Sequence, residues 1–150
     1  DQLSDVVIPK WSGISIQESL NEHFADVPIL IDNDANLGAL AERWWGAGQD
    51  VENFAYIKVA TGIGAGYIIS GEIYRGATGV AGEIGHMVIN PNGEEICACG
   101  ARGCFEAMIS VNRIIKMAKE GYPENKDSMI FRDKALKDID VYDLFNSANA

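Results

Sequence analysis

The sequence predicts an α/β domain. Apolar runs of strand length alternate with stretches of helical period, and glycine, proline and Asx residues punctuate the changes. Apolar residues make up 47% of the 150-residue chain, enough for one real core and far from the composition of a disordered segment. No internal repeat or low-complexity linker divides it.

The elements follow in order. Ser15 and Glu18 form a capping box ahead of Ile16, Leu20 and Phe24, which share one helical face, so a helix is predicted from Ile16 to about Ala25. Val27–Ile31 is a short apolar run, read as a buried strand ending in Asp32-Asn33-Asp34. Ala35, Leu37, Leu40, Ala41 and Trp44 supply the apolar faces of a second helix, stopped by Gly46 and Gly48. Phe54–Ala60 reads as a strand, Thr61–Gly66 as a glycine-rich loop, and Tyr67–Ser70 as the next strand. Ser70-Gly71 marks a hairpin turn returning through Glu72–Tyr74. Thr78–Pro91 mixes glycine with short apolar stretches, which fits loops and short strands. A long helix runs from Phe105 through Ala118 and is closed by Gly121 and Pro123. Asp140 caps a last helix containing Val141, Leu144 and Phe145.

Charge and composition exclude some functions. The formal net charge of -10 repels phosphate, so nucleic-acid contact by this segment itself is not expected. No apolar run approaches the ~20 residues of a membrane helix, and no signal peptide is visible. Three cysteines cannot all pair within one chain, and a reducing, cytoplasmic setting with metal-bound thiolates suits them better than disulfides.

Three constellations carry chemistry. Cys97-x-Cys99-x4-Cys104 packs three soft ligands into eight residues, with Gly100 and Gly103 letting the backbone curl. His86 lies eleven residues upstream of Cys97, and Pro91-Asn92-Gly93 offers a turn between them, so the four predict a closed tetrahedral zinc site. Buried structural cysteines are the plainer alternative, but Glu, Gly and Arg neighbours make a poor core. His23 reads as an ordinary helix-surface residue. Asn33-Asp34 follows a strand, where α/β sheets bind ligands. Asp34 is suited to take a proton from a hydroxyl, and either residue is equally suited to cap the next helix. Alternate glycines in Thr61–Gly66 let backbone N–H groups converge on phosphate, although a glycine hairpin without ligand has the same pattern. Of the vicinal Trp44 and Trp45, one is expected in the core and one partly exposed. Arg43, Arg75 and Arg102 read as surface or salt-bridge residues.

Taken in order, IDNDAN, VATGIGAG, GEIYRG, GVAGEIGHM and CACGARGCFE resemble the ROK family of bacterial sugar kinases and sugar-responsive transcription regulators. The resemblance runs from about Trp11 into the helix after Glu106. It implies an actin-like, ribonuclease-H-like fold of two lobes, with sugar and ATP in the cleft. It implies Asp34 as catalytic base, Asn33, Asp34, Glu83, His86 and Glu106 as sugar-binding groups, and Thr61, Gly62 and Gly64 in a phosphate loop. His86, Cys97, Cys99 and Cys104 would ligate zinc, with ATP and magnesium added in a kinase. The span from His86 to Cys97 is one residue longer than the family pattern, with Glu94-Glu95-Ile96 as the expected bulge.

The family's first phosphate loop and its adenosine-binding region have no counterpart here. The chain therefore reads as an internal segment, with about 1–35 ending one lobe and about 36–150 belonging to the other. Such a segment is not expected to phosphorylate sugar alone. A regulator's DNA-binding domain would lie upstream of Asp1. The sequence favours the sugar-sensing part of a regulator over an ATP-dependent sugar kinase, on YIKVATGIGAG, IYRG and Pro91-Asn92-Gly93. A zinc-structured interaction domain without ligand is the third reading. The expected partners are a hexose or N-acetylhexosamine and a second copy in a homo-oligomer, with no membrane.

Overall fold

A computed structural model of the chain describes residues 13–132 and 134–148. The start of the expected 1–35 lobe segment, including Trp11, lies outside the described residues. The elements are α1 (Ile16–His23), α2 (Asp34–Trp45), β1 (Phe54–Val59), β2 (Ile63–Ile69), β3 (Glu72–Tyr74), α3 (Phe105–Ile109), α4 (Val111–Glu120) and α5 (Val141–Ala148). Short 3-10 turns occur at Ile84–His86, Tyr122–Glu124, Met129–Phe131 and Leu136–Asp138. The strands form one antiparallel sheet in the order β1-β2-β3. No described helix is long and apolar enough to cross a membrane.

Local chemistry explains most boundaries. Ser15 Oγ accepts from the Glu18 N–H at 3.3 Å and starts α1, which ends at His23, two residues early. His23 stays on the helix surface, its Nδ1 2.9 Å from Ser19 O. Ser70 and Gly71 both take positive φ (54° and 80°), the two-residue turn whose twist suits a hairpin. Asp140 Oδ1 accepts from the N–H groups of Tyr142 (2.8 Å) and Asp143 (3.1 Å), capping α5 as expected.

Four expectations are corrected. Val27–Ile31 is not a buried strand: Leu30 is 92% exposed, and no described strand pairs with the run. A strand needs a neighbour to take its backbone groups, and the sequence run alone supplies none. Second, β2 begins at Ile63, so most of the Thr61–Gly66 loop is strand. Both Gly64 and Gly66 pair in the ladder, and Gly66 is there to admit α2, not to break pairing. A Cβ on Gly66 would lie 2.7 Å from Ala39 Cβ and collide with the Ala35 carbonyl. Third, the long helix breaks at Ser110, whose ψ is 158°. The Val111 N–H leaves the helix ladder and donates to Ala60 O at 3.0 Å, pinning the break to the β1–β2 turn. Fourth, Trp44 and Trp45 are both exposed (56% and 76%) and pack edge-to-face at 5.3 Å. The buried stripe of α2 is Ala35, Asn36 and Ala39, and the tryptophans fall off it.

The core is the α2–β2 contact, with Ala35, Ala39, Ile63, Ala65 and Ile68 buried. Phe54 and Tyr56 of β1 face α2, beside Gly48 and Gly38. Gly66→Ala is expected to cost about 1–3 kcal/mol, because the helix has to lift off the strand. Chemical denaturation checks it, and an unchanged midpoint contradicts the packing described.

Candidate functional site

An open cleft of about 560 Å³ lies where the first turn of α2, the β1–β2 turn, the Ile84–His86 turn and the start of α3 meet. Asn33, Asp34, Glu83, His86 and Glu106 all line it, together with Thr61, Gly62, Gly64 and Cys99. The residues singled out in the sequence thus come together from four separated segments.

The Asp32–Asp34 turn divides its labour. Asn33 is the cap of α2: its Oδ1 accepts from the Ala35 N–H at 2.8 Å, which leaves its Nδ2 amide available to a ligand. Asp32 is structural. Its Oδ1 accepts from Asn33 N and Asn36 Nδ2, both at 2.8 Å, and its Oδ2 from Arg75 Nε and Nη2 at 2.9 and 2.6 Å. Burial opposes ionisation of Asp32, but hydrogen bonds from Asn36, Arg75 and the Asn33 backbone prevail and hold its carboxyl below the usual range. Asp34 is left with its side chain 67% exposed to the cleft and ion-paired through Oδ2 with Lys58.

His86 joins the cleft to the cysteines. Its Nε2 is 3.8 Å from Glu83 Oε2, and its Nδ1 is 3.5 Å from Cys97 Sγ. The ligand atoms of His86, Cys97, Cys99 and Cys104 lie within 4.8 Å of one another. The expected bulge at Glu94–Ile96 is absorbed in the loop: Gly93 N–H donates to Asn90 O at 2.9 Å, Gly103 N–H to Glu95 O at 3.0 Å, and Ile96 bridges Arg102. Gly103, at φ +66°, sits against the Asn90 carbonyl where a Cβ would collide.

The cluster suits a tetrahedral cation. Zinc–sulfur and zinc–nitrogen bonds of ~2.3 and ~2.0 Å imply S···S and S···N edges of ~3.8 and ~3.5 Å. Cys99 and Cys104 sulfurs are 3.7 Å apart, and the Cys97–His86 pair is at 3.5 Å. Burial and the neighbouring thiols push Cys104 up to about 12, while the Ala101 backbone and Cys97 hold Cys99 below the usual thiol range. Thiols so placed ionise together when a cation balances them.

Glu106, in the first turn of α3, accepts the Ile63 N–H on Oε2 at 2.8 Å. One of its oxygens therefore braces the β1–β2 turn, and the other is left to the cleft. Two polar lining residues, Lys58 and Asn112, were not singled out in the sequence. Lys58 had a signal, since it occupies the inward position after Phe54 and Tyr56 where a packing side chain is expected. Asn112 had none.

The ROK family pattern matches residues 4–150. A glucokinase of Halalkalibacterium halodurans is 38% identical over 141 residues, 93% of this chain and 42% of that protein. A xylose repressor of Bacillus subtilis is 42% identical over 106 residues, 71% of this chain and 27% of that protein. Among solved structures, a ROK family glucokinase from Streptomyces griseus in complex with glucose and AMPPNP superposes with a TM-score of 0.82 at 29% identity, over 93% of this chain and 45% of that one. The chain spans less than half the length of these relatives.

The Asp32 network has a definite pH signature. A carboxyl held below its ordinary value stabilises the fold above the unfolded pKa of ~3.9, and that contribution is lost as pH falls through the lower folded value. Asp32→Asn is therefore expected to be less stable than the parent at neutral pH, with the gap closing below about pH 4. Urea titrations across pH measure it, and a gap that widens on acidification refutes the assignment.

Proposed function

This chain belongs to the ROK family, and on that premise we propose that it forms the sugar-binding part of a sugar-responsive transcription regulator. Its fold is that of the ROK sugar kinases, the actin-like fold. The family relatives include both glucokinases and xylose repressors.

The observation that carries the reading is the convergence of Asn33, Asp34, Glu83, His86 and Glu106 on one cleft. A sugar is a ring of hydroxyls, each a donor and an acceptor, and it needs carboxylates, amides and imidazoles fixed at several angles. The ligand is proposed to be a hexose, an N-acetylhexosamine or a pentose such as xylose. His86, Cys97, Cys99 and Cys104 are proposed to hold zinc, which supplies a rigid brace for the loop. His86 would bind it through Nδ1 and keep Nε2 for Glu83 and the ligand. In the whole protein, cytoplasmic in this reading, residues to about 35 would end one lobe and 36–150 would belong to the other, with DNA contacted by a separate upstream domain and a second copy of the chain as partner.

The regulator reading rests on the motifs YIKVATGIGAG, IYRG and Pro91-Asn92-Gly93. Lys58 is neutral between the two readings, because it takes Asp34 Oδ2 and leaves Oδ1 to accept from a ligand hydroxyl. The kinase reading rests on a different feature: Thr61, Gly62 and Gly64 line the cleft beside Asp34, where a nucleotide's phosphates with magnesium would meet it. In that reading Asp34 is the base.

In the full-length protein, D-glucose, D-xylose or N-acetylmannosamine is expected to bind by calorimetry and to change operator affinity, while ATP turnover with the same sugars stays at background. Turnover well above background overturns the regulator reading in favour of the kinase. About one equivalent of zinc per chain is expected in gently purified, reduced protein. Stripping it, or Cys104→Ser, is expected to weaken sugar binding about tenfold or more. Unchanged affinity in metal-free, folded protein removes the zinc from the sugar site.

A further inference from the structure

Lys58 stands where the alternation of β1 calls for a packing side chain, yet it turns along the sheet toward the first turn of α2. Among the described residues it is the one hydrogen-bond or ion-pair partner of the Asp34 side chain, 24 positions earlier in the chain. Both line the cleft, with side chains 33% and 67% exposed. An ion pair so open to water contributes little to stability. Its place in the cleft therefore calls for another explanation.

The chemistry of the two groups supplies one. A carboxylate only accepts hydrogen bonds, and an ammonium only donates, with three N–H groups of which Asp34 takes one. A ligand hydroxyl does both. It can give its proton in a hydrogen bond to Asp34 and accept one from Lys58 on the same oxygen. Neither an anionic nor a cationic substituent fits the pair equally well, because each meets a like charge across it. We propose that Lys58 and Asp34 together read one hydroxyl of a neutral sugar, with Lys58 the specificity-determining donor. The proposal rests on the sugar-binding reading above and deepens it: Lys58 was not among the residues that reading supplied.

The test uses the full-length protein and calorimetry, first with D-glucose, D-xylose and N-acetyl-D-mannosamine. The sugar that binds is then compared with its monodeoxy and monodeoxyfluoro derivatives, position by position. Removing a hydroxyl deletes both contacts, whereas fluorine keeps an acceptor for Lys58 alone. At one ring position the deoxyfluoro sugar is expected to bind several-fold more tightly than the deoxy sugar. In Lys58→Met the parent sugar is expected to bind about tenfold more weakly or worse, and the two derivatives to bind alike. Lys58→Arg, which keeps a charged donor, is expected to restore the gap. If no position favours fluorine over hydrogen in the unaltered protein, the proposal fails without reference to any variant. It also fails if Lys58→Met keeps the gap or the parent affinity. Binding of none of the three sugars overturns the sugar-sensing reading instead.

Discussion

The close approach of α2 to β2 is the constraint from which the site takes its geometry. Ala35 and Ala39 are fully buried against Gly66, with no side chain between helix and strand at the point of contact. Close-packed interiors do not absorb an added methyl group without moving something. What would move here is the first turn of α2, which carries Asn33 and Asp34 into the cleft. Gly38 repeats the device one turn along, giving the Tyr56 ring its place on the same face. Asp32 then locks the approach from outside, with Arg75 reaching back from the turn after β3. The placement of the Asp34 carboxylate is thus decided by glycines and alanines that never touch the cleft's contents.

The opposite wall is held to the same hairpin by two bonds. Glu106 Oε2 accepts the Ile63 N–H at 2.8 Å, and Ala60 O accepts the Val111 N–H at 3.0 Å. These bonds fasten α3 and α4 to the β1–β2 turn on either side of the break at Ser110. Cys104 is the N-cap residue of α3, and Glu106 follows in its first turn. Whatever orders the cysteine loop therefore orders Glu106, and Glu106 orders the turn bearing Thr61 and Gly62. The walls of the cleft are joined through one hairpin, so they cannot shift independently.

Signals that act over a few residues were legible in the sequence. The Ser15 cap, the Asp140 cap and the Ser70-Gly71 turn are set by side chains next to the backbone they satisfy. Val27–Ile31 misled because burial of a strand depends on a neighbour that its own sequence cannot specify. The start of β2 misled because glycine signals both a turn and a close approach, and only the position of α2 tells which. The break at Ser110 depends on Ala60, fifty residues away, and leaves the apolar period of α3 and α4 unbroken. The grouping of the site residues came from the resemblance of whole motifs, not from spacing. Lys58 was legible as a break in alternation, but only its reach to Asp34 gives the break a meaning.

The electrostatics of the cleft bear on what it can hold. Three carboxylates line it in a chain of formal net charge -10, a poor setting for an anion and, on charge alone, an attractive one for a cation. Each carboxylate has a protein group beside it, however: Lys58 by Asp34, the His86 imidazole by Glu83, and the Ile63 N–H on Glu106. These neighbours hold the acidic groups in place and leave acceptor oxygens on each. A neutral polyol can use such oxygens without bringing charge to balance them, and it accepts in turn from Lys58, Asn33 or His86. An inorganic cation would have to outcompete the ammonium already at Asp34. The arrangement therefore favours recognition by direction over recognition by charge, which is the kind of discrimination that separates one sugar from another.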